Sequence, residues 1–536
     1  MRLRLPVAGL FLSLFSAVRS DLAVHCEVPD LLGEWEFVFY QFALGSISTC
    51  GYSSPNTNAE LVKQSGSLLG AGFPEKVLDA EAALTVLIGA GDLRQTSRIN
   101  LNLEDKRPTD DGYSTNLSTT WSPVFDQGIM LKQVAAGGRT YFRAAAYSLF
   151  VCDASAGCSP EDQPSVNSNG TLPPGYSSRC DGTFIGWALH AQGMDCFIGR
   201  RVASLKGSVT AEHHDAAADH LPTRETFEIK SHPDEWTQFL QSRNTCPSSS
   251  SFFPRSFVHP SVLIATMEDP PKRQSCGDCF AIATAFALEA QAIRADSPGD
   301  VNSRSHALSL SLLDNAFTGQ GCSGSHPLML AMFLAAERLK TCPISGCSVA
   351  SFDFIGGSYP SGCGIVEKMK QYISKKGPVV VGMDLEDHDA LNQGLEKLVV
   401  EGKGLQCPTD AEDVTGGRMG ELLMGAFSES PSPSPSSSPS SLTQICIPGI
   451  PHALPVLVST PTHYFTEHWE FANHAMVVVG WGEGCEKTGG EATDCKPIPF
   501  WVVRNSWGRN WGINGLFLVK MGVDLAGIES QPMAMV

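Results

Sequence analysis

Two cysteines with the spacing Cys-x-x-Cys stand directly before an apolar helical pattern. Cys276 and Cys279 are followed by the apolar run 280–288, which places Cys279 in the first turn of a helix. The positive end of the helix dipole favours a thiolate there. A single activated thiolate can serve as a nucleophile, whereas thiol–disulfide exchange needs both sulfurs to react. Zinc binding would need a second close pair of ligands, and half of an ordinary disulfide is the remaining alternative.

The far end of the chain carries side chains that complete a nucleophilic site. His474 opens an apolar strand pattern, and Asn505, followed by Ser506 and Trp507, ends another. A histidine at a strand edge can accept the thiol proton as general base, and an amide can fix the orientation and tautomer of its ring. Trp507 would screen that bond from water. Cys279, His474 and Asn505 are therefore predicted to be the catalytic nucleophile, base and orienting residue.

At these residues the chain resembles the papain family of cysteine peptidases. The similarity lies in Cys-Gly-Asp-Cys at 276–279, Asn-His-Ala at 473–475 and Asn-Ser-Trp-Gly at 505–508, and it extends over about 252–536. It implies an α+β catalytic domain with a helical lobe and a β lobe, which cleaves peptides through an acyl-enzyme. His474 follows Cys279 by more than the roughly 130–150 residues usual in the family. A Ser/Pro-rich insertion at about 402–466 accounts for the difference.

The resemblance also assigns residues that would bind substrate. Gln274 would help bind the oxyanion, although it stands five residues before Cys279 instead of the usual six. Gly324, Ser325 and Ile528 would contact substrate, with Ser325 in the place of a second glycine. The shifted glutamine and the serine favour an alternative, a weak or inactive homologue that acts as a binding protein. Thiol–disulfide exchange is the other alternative, and it predicts that Cys276 is also reactive.

The N-terminus indicates export. Residues 1–20 combine Arg2 and Arg4 with a short apolar run and small residues, a pattern typical of a cleaved secretory signal peptide. That run is too short to span a membrane, and no other stretch qualifies. Asn116 and Asn169 lie in glycosylation sequons. We therefore expect a glycoprotein of the secretory pathway, either in a lysosome-like or vesicular compartment or secreted.

The segment between the signal and the catalytic region divides in two. Short alternating apolar and polar runs with Gly and Asn turns predict antiparallel strands over 21–200, with an insertion at about 150–178. The polar residues 201–251 are interpreted as a propeptide or linker. The first part is similar to the all-β, barrel-like exclusion domain of the dipeptidyl peptidase branch of the papain family. This similarity implies that Asp21, exposed by signal removal, binds the free ammonium of the substrate and limits cleavage to dipeptides.

The resemblance further implies a disulfide framework. The chain has 17 cysteines, which is an odd number in a chain expected to be exported. The resemblance implies the pairs Cys26–Cys180, Cys50–Cys196 and Cys276–Cys322. We expect four further pairs, which are Cys152–Cys158, Cys342–Cys347, Cys407–Cys446 and Cys485–Cys495. Cys279, Cys246 and Cys363 then remain, so the predicted nucleophile stays a thiol.

Composition and resemblance together limit the partners. A net charge of −18 and a pI near 5.2 argue against nucleic-acid binding. The resemblance implies substrates with free N-termini, a homotetramer and activation by another protease. No cofactor or metal is expected. The related enzymes bind a chloride ion through a tyrosine, but Leu328 stands at that position here, which argues against chloride.

Overall fold

The structure is a computed structural model that describes a little over a third of the chain. Its described residues are 26–40, 80–88, 100–101, 117–135, 140–152, 155, 175–190, 193–204, 253, 257–258, 274, 277–295, 324–337, 352–355, 364–384, 456–457, 472–487, 495–508, 511, 515–522 and 524–535. Outside them lie the signal, Asp21, the asparagines of both sequons, most of the propeptide, the Ser/Pro tract and most of the predicted disulfide cysteines.

Nine strands form the N-terminal sheet, in the order β3-β2-β1-β9-β7-β6-β5-β4, with β8 paired to β6 and β9. A short helix, α1 (Val28–Leu31), precedes them. The strands are β1 (Gly33–Tyr40), β2 (Ala80–Ile88), β3 (Asn100–Leu101), β4 (Leu117–Val124), β5 (Gly128–Ala135), β6 (Thr140–Cys152), β7 (Tyr176–Thr183), β8 (Gly186–His190) and β9 (Gly193–Ser204). All the strand pairs are antiparallel, as the alternating pattern predicts.

Strand β1 shows why this sequence forms a sheet with one buried face. Trp35 and Phe37 are buried, whereas Glu34 is exposed and Glu36 half-buried, because successive side chains of a strand point to opposite faces. On the outer face the Arg200 guanidinium from β9 lies 2.7 Å from the Glu36 carboxylate. A disulfide joins Cys26 to Cys180. Cys196 is also disulfide-bonded, and its predicted partner, Cys50, is outside the described residues.

Three helices and eight strands form the described part of the C-terminal unit, residues 253–535. The helices are α2 (Cys279–Ala295), α3 (Pro327–Glu337) and α4 (Ile365–Lys375). The strands are β10 (Phe257–Val258), β11 (Phe352–Phe354), β12 (Val379–Met383), β13 (Val456–Leu457), β14 (His474–Lys487), β15 (Cys495–Arg504), β16 (Leu516–Lys520) and β17 (Met533–Met535). The sheet order is β11-β17-β12-β14-β15-β16-β13, and β10 pairs with β14.

The helices differ in how much of their surface they bury. Helix α2 is apolar on nearly every side and lies in the core, whereas α4 buries only the stripe Ile365, Met369 and Ile373 at a spacing of four. Helices predicted over 280–294, 329–339 and 364–374 are confirmed with bounds that differ by at most two residues. The described part of the chain therefore combines helices with two sheets and is rich in strands. No helix in the described part of the chain is long and apolar enough to cross a membrane.

The N-terminal sheet packs directly on the C-terminal unit. The ammonium of Lys132 and the guanidinium of Arg143 both bind the Asp353 carboxylate, the latter at 3.2 Å. The Arg143 guanidinium also lies 4.8 Å from the centre of the Phe352 ring. One cluster of buried apolar side chains continues from the sheet into α2 and α3. The two parts therefore share a core and an ion-paired rim.

Candidate active site

The first residue of α2 is Cys279, as the sequence predicts. The backbone carbonyl of Asp278 accepts hydrogen bonds from the N–H groups of Ala281 and Ile282, at 3.0 and 3.1 Å, and so starts the helix. Cys279 is 2% exposed and forms no disulfide. Its sulfur therefore lies at the positive end of a 17-residue helix, where a thiolate is stabilised.

Strand β14 supplies a hydrogen-bond donor to this sulfur. The backbone N–H of Ala475 donates to the Cys279 Sγ, with 3.2 Å between nitrogen and sulfur. A hydrogen bond to the charged form of a group favours that form. Strand β12 holds β14 in register, with Met383 opposite His474 and Gly382 opposite Ala475. The residue that precedes this donor is His474, so the thiol lies against the end of β14 at which His474 begins the strand.

The amide of Asn505 defines the tautomer of His474. The Asn505 Oδ1 lies 2.8 Å from the His474 Nε2 and also accepts the backbone N–H of Ser506 at 2.7 Å. An amide oxygen only accepts, so the His474 Nε2 must carry a proton and donate it. In the neutral ring, Nδ1 is then the basic nitrogen. His474 and Asn505 are both buried, which protects their bond from competing water.

Aromatic rings hold the imidazole in place. The Trp507 ring lies 5.2 Å from the His474 ring, centre to centre, and Trp511 packs edge-on against Trp507 at 4.9 Å. Phe517 of β16 supports Trp511 at 5.2 Å. The histidine is thus braced by a chain of rings that ends in the core, and ring rotation would have to displace that packing.

Gln274 is anchored from both its backbone and its side chain. Its N–H donates to the Ser506 carbonyl oxygen at 2.7 Å, and its Oε1 accepts a hydrogen bond from the Ser506 hydroxyl. Since Oε1 faces Ser506, the Nε2 group is the end of the amide that can donate to a developing oxyanion. Gln274 is buried close to the Asn505 segment, despite its unusual distance in sequence from Cys279.

The predicted substrate-binding residues are described except for Asp21. Gly324 has a φ of +93°, a backbone conformation that favours glycine. The Ser325 hydroxyl oxygen lies 2.5 Å from the phenolic oxygen of Tyr147 in β6. Ile528 is fully buried and belongs to the apolar cluster of the C-terminal unit. Leu328 is also buried, and its N–H donates to the His326 Nδ1 at 2.9 Å.

Sequence reasoning missed the turn that the N-terminal sheet places beside this site. The turn between β4 and β5 contains Phe125 and Gln127, and the Gln127 Nε2 donates to the Ala472 carbonyl oxygen at 3.3 Å, two residues before His474. The Phe125 ring lies 5.3 Å from the His326 ring. The motif Phe-Asp-Gln-Gly identifies a turn, but no local signal indicates what that turn contacts.

Two buried ionisable groups near the site have shifted pKa values. Burial lowers the pKa of His326 to about 3. Burial, together with the nearby charge of Asp524, raises the pKa of Glu529 to about 7. The Glu529 Oε1 accepts hydrogen bonds from Trp501 and from the Gly522 backbone, which partly offset that rise. His326 is therefore neutral in the folded chain, and Glu529 titrates near neutral pH.

Comparison with known proteins relates the C-terminal part of the chain to a family of enzymes. Residues 459–536, which contain His474 and Asn505, match the model of the papain family of cysteine proteases. Together with the site geometry, this match supports a papain-family cysteine protease domain in the chain.

Two curated relatives are a dipeptidyl aminopeptidase and a cathepsin C by name. Dipeptidyl aminopeptidase 1 of Plasmodium falciparum (isolate 3D7) is 43% identical over 63 residues, 12% of this chain and 8% of that protein. Cathepsin C of Schistosoma mansoni is 41% identical over 68 residues, 13% of each chain. The chain thus spans a small part of the length of these relatives. The solved structure of digestive procathepsin L2 from Tenebrio molitor has 18% identity and a TM-score of 0.31, and covers 54% of this chain and 70% of that one.

Proposed function

We propose that this protein is a cysteine-type dipeptidyl aminopeptidase that releases dipeptides from the free N-termini of peptides and proteins. The observation that carries the peptidase part is the arrangement at the start of α2 and β14. The Cys279 Sγ accepts the Ala475 N–H at 3.2 Å, while the adjacent His474 binds Asn505 at 2.8 Å. A nucleophile, a base of defined tautomer and an orienting amide meet in one buried place.

The mechanism follows from these positions. The Cys279 thiol gives its proton to the His474 Nδ1, and the thiolate attacks the carbonyl carbon of the second residue of the substrate. The oxyanion is met by the Cys279 backbone N–H and the Gln274 Nε2. The His474 imidazolium then protonates the leaving amine, so the peptide bond breaks and a thioester remains. Water, deprotonated by His474, hydrolyses the thioester and restores the thiol.

The exopeptidase part rests on the position of the N-terminal sheet and on two of the matched relatives. The N-terminal sheet packs beside the candidate site through the turn that holds Phe125 and Gln127. Two relatives that match over short segments are named dipeptidyl aminopeptidase 1 and cathepsin C. In the proposal, Asp21 at the mature N-terminus binds the substrate ammonium with its carboxylate. This ion pair would fix the substrate's N-terminus two residues before the bond that is cleaved. Two residues would then fit between Asp21 and Cys279, and a longer N-terminal segment would not.

The wider properties of the enzyme belong to the same proposal. The protein enters the secretory pathway and works in a lysosome-like compartment or outside the cell. It is a homotetramer, it is made as a zymogen, and another protease removes residues within 201–251 and cuts near the insertion at 402–466. No metal is needed for its activity, and the resemblance allows a chloride ion, although Leu328 in place of the tyrosine argues against it. The burial of Cys279 in the uncut chain agrees with a precursor that must be opened.

One experiment tests the proposal directly. The processed protein is assayed with a fluorogenic dipeptide amide that has a free N-terminus and with the same substrate N-acetylated, and Cys279→Ala serves as control. Cleavage of the free substrate alone, abolished in the control, supports the dipeptidyl peptidase. Cleavage of both substrates would indicate an endopeptidase. Cleavage of neither would favour a binding protein.

A second measurement addresses thiol–disulfide exchange. The protein is treated with iodoacetamide, and the modified cysteines are identified by peptide mapping. The peptidase proposal predicts that Cys279 alone of the Cys-x-x-Cys pair is alkylated, because Cys276 is expected to be in a disulfide. Alkylation of both cysteines would favour exchange chemistry.

A further inference from the structure

Phe125 lies at the interface between the N-terminal sheet and the C-terminal unit and combines deep burial with a backbone conformation that is rare for a bulky residue. It lies in the turn between β4 and β5, is only 1% exposed, and has a φ of +47°. Bulky residues rarely adopt a positive φ, and such strain persists only where the surroundings enforce it. Strained residues of this kind cluster at functional sites, so the surroundings of Phe125 are informative.

A single amide enforces this turn. The Gln531 Oε1 accepts the Phe125 backbone N–H at 2.7 Å, while its Nε2 donates to the Pro123 carbonyl oxygen at 2.6 Å and to the Ser122 hydroxyl at 3.2 Å. Gln531 is itself buried. The C-terminal unit thus binds the backbone at Pro123 and at Phe125 and holds this part of the turn in place.

The ring is directed at β12, the strand that pairs with the His474 end of β14. A Cβ atom added to Gly382 would lie 2.5 Å from the Phe125 Cζ and 3.0 Å from the Ala472 Cβ. Gly382 pairs with Ala475, the donor to the Cys279 sulfur. Only the absence of a side chain at position 382 leaves room for the ring.

The Phe125 ring also lies close to the predicted substrate-binding segment. The centre of the Phe125 ring lies 5.3 Å from that of His326, and His326 directly follows Ser325. Phe125 therefore lies between the segment that leads to His474 and the segment that contains Gly324 and Ser325. Gly382 is partly exposed, although Val381 and Met383 on either side of it are buried, so an opening remains beside the ring.

We propose that Phe125 closes the subsite for the side chain of the substrate's N-terminal residue and so selects dipeptides that begin with a small residue such as Gly or Ala. The inference rests on the proposed function and adds a substrate class to it. A ring already in the subsite leaves little volume for a large side chain. Even one methylene group more or less in an apolar pocket changes selectivity by about 10–200-fold.

The test measures how fast Cys279 is alkylated in the processed protein with all its fragments retained. The probes are two free-amine dipeptide chloromethyl ketones, Gly-Phe and Leu-Phe, which differ only in the first residue. We expect the native protein to react at least about tenfold faster with Gly-Phe, and Phe125→Ala to lower this preference by about tenfold or more. Phe125→Leu, a milder change in case the alanine variant is unstable, should give an intermediate ratio.

Lys132→Met is the matched control, because it removes an ion pair of the same interface and leaves Phe125 in place. Its rate ratio should stay close to that of the native protein. The inference is overturned if folded Phe125 variants keep the native ratio, or if Lys132→Met changes it equally. Failure of both reagents to modify Cys279 would overturn the inference together with the proposed function. Hydrolysis of free-amine dipeptide amides with an unchanged ratio would overturn the inference alone.

Discussion

The phenolic oxygen of Tyr147 lies 2.5 Å from the hydroxyl oxygen of Ser325 and thereby ties the N-terminal sheet to the predicted substrate-binding segment. Both residues are buried. Burial raises the pKa of Tyr147 well above its ordinary value, so the phenol stays protonated and the hydrogen bond persists across the physiological pH range. Ser325 stands where papain-family enzymes usually have glycine, so its hydroxyl gives this chain an additional anchor.

Tyr147→Phe is expected to weaken substrate binding more than catalysis. Loss of one buried hydrogen bond costs about 0.5–1.5 kcal/mol, so KM should rise by about 2–10-fold while kcat changes little. Steady-state kinetics with a free-amine dipeptide amide give both constants. If the Tyr147–Ser325 bond is responsible, Tyr147→Phe should have a much smaller effect in a Ser325→Ala background. Equal effects in both backgrounds would contradict it.

His474 is expected to set the reactivity of the Cys279 thiol. Because iodoacetamide reacts with the thiolate, the native protein should be alkylated at lower pH than His474→Ala, in which the profile of rate against pH should move upwards. The rate of iodoacetamide alkylation between about pH 4 and 9 gives the profile. Asn505→Ala should retain more thiolate than His474→Ala and still lower kcat, by up to about 10²–10⁴-fold. A profile that is the same in all three proteins would contradict the assignment.

Gln274→Ala is expected to lower kcat by about 10²–10³-fold if its Nε2 donates to the oxyanion. Ser506→Ala removes only the hydroxyl that positions the Gln274 Oε1, so its effect should be smaller and in the same direction. Comparison of kcat for the two variants and the native protein is sufficient. A Gln274→Ala variant with native kcat would show that the oxyanion is bound by other groups.

Glu529 should make the protein more stable in acid. Its pKa rises from 4.5 to about 7 on folding, so the stabilising contribution of the protonated form is complete below about 4.5 and is lost as the pH rises through about 7. Thermal unfolding followed between these pH values should show a falling Tm. Glu529→Gln cannot ionise and should show a flatter profile over this range. An identical pH profile in the variant would rule out this role for Glu529.

His326 should make the protein less stable in acid, which is the opposite of the effect expected for Glu529. Its pKa falls from 6.5 to about 3 on folding, so the contribution of the neutral ring is present above about 6.5 and is lost as the pH falls towards 3. His326→Asn keeps an acceptor for the Leu328 N–H at the start of α3 and removes the ionisable ring. We expect its Tm to fall less between pH 6.5 and 4 than that of the native protein. A steeper fall would contradict the role.

The sequence predicts those parts of the molecule whose signals are local. Cys279 stands at a helix start, and the positions of His474 and Asn505 follow from the limits of two apolar strands, so their elements could be located without coordinates. The contacts of Phe125 and Tyr147 could not. They depend on how the N-terminal sheet packs on the C-terminal unit, and no residue type or spacing near position 125 indicates that Gln531 will grip its backbone.

The Gln274–Ser506 contact is another contact that the sequence could not predict. The two residues are distant in the chain, and the hydroxyl that holds the glutamine amide follows the orienting asparagine directly. A motif comparison records only that the glutamine is displaced by one position. The structure shows how the displaced glutamine is held, because both the N–H and the side chain of Gln274 bind Ser506, just after the end of β15.

The described contacts between the N-terminal sheet and the C-terminal unit are hydrogen bonds, ion pairs and apolar packing, such as those of Asp353 with Lys132 and Arg143. In the uncut chain the connecting segment keeps the two parts at a high effective concentration. The proposed excision of residues within 201–251 would remove that connection, and the two parts would then be held together by these contacts according to mass action. An enzyme built in this way would lose its dipeptide selectivity on dilution before it lost its nucleophile, so protein concentration would become a determinant of substrate choice.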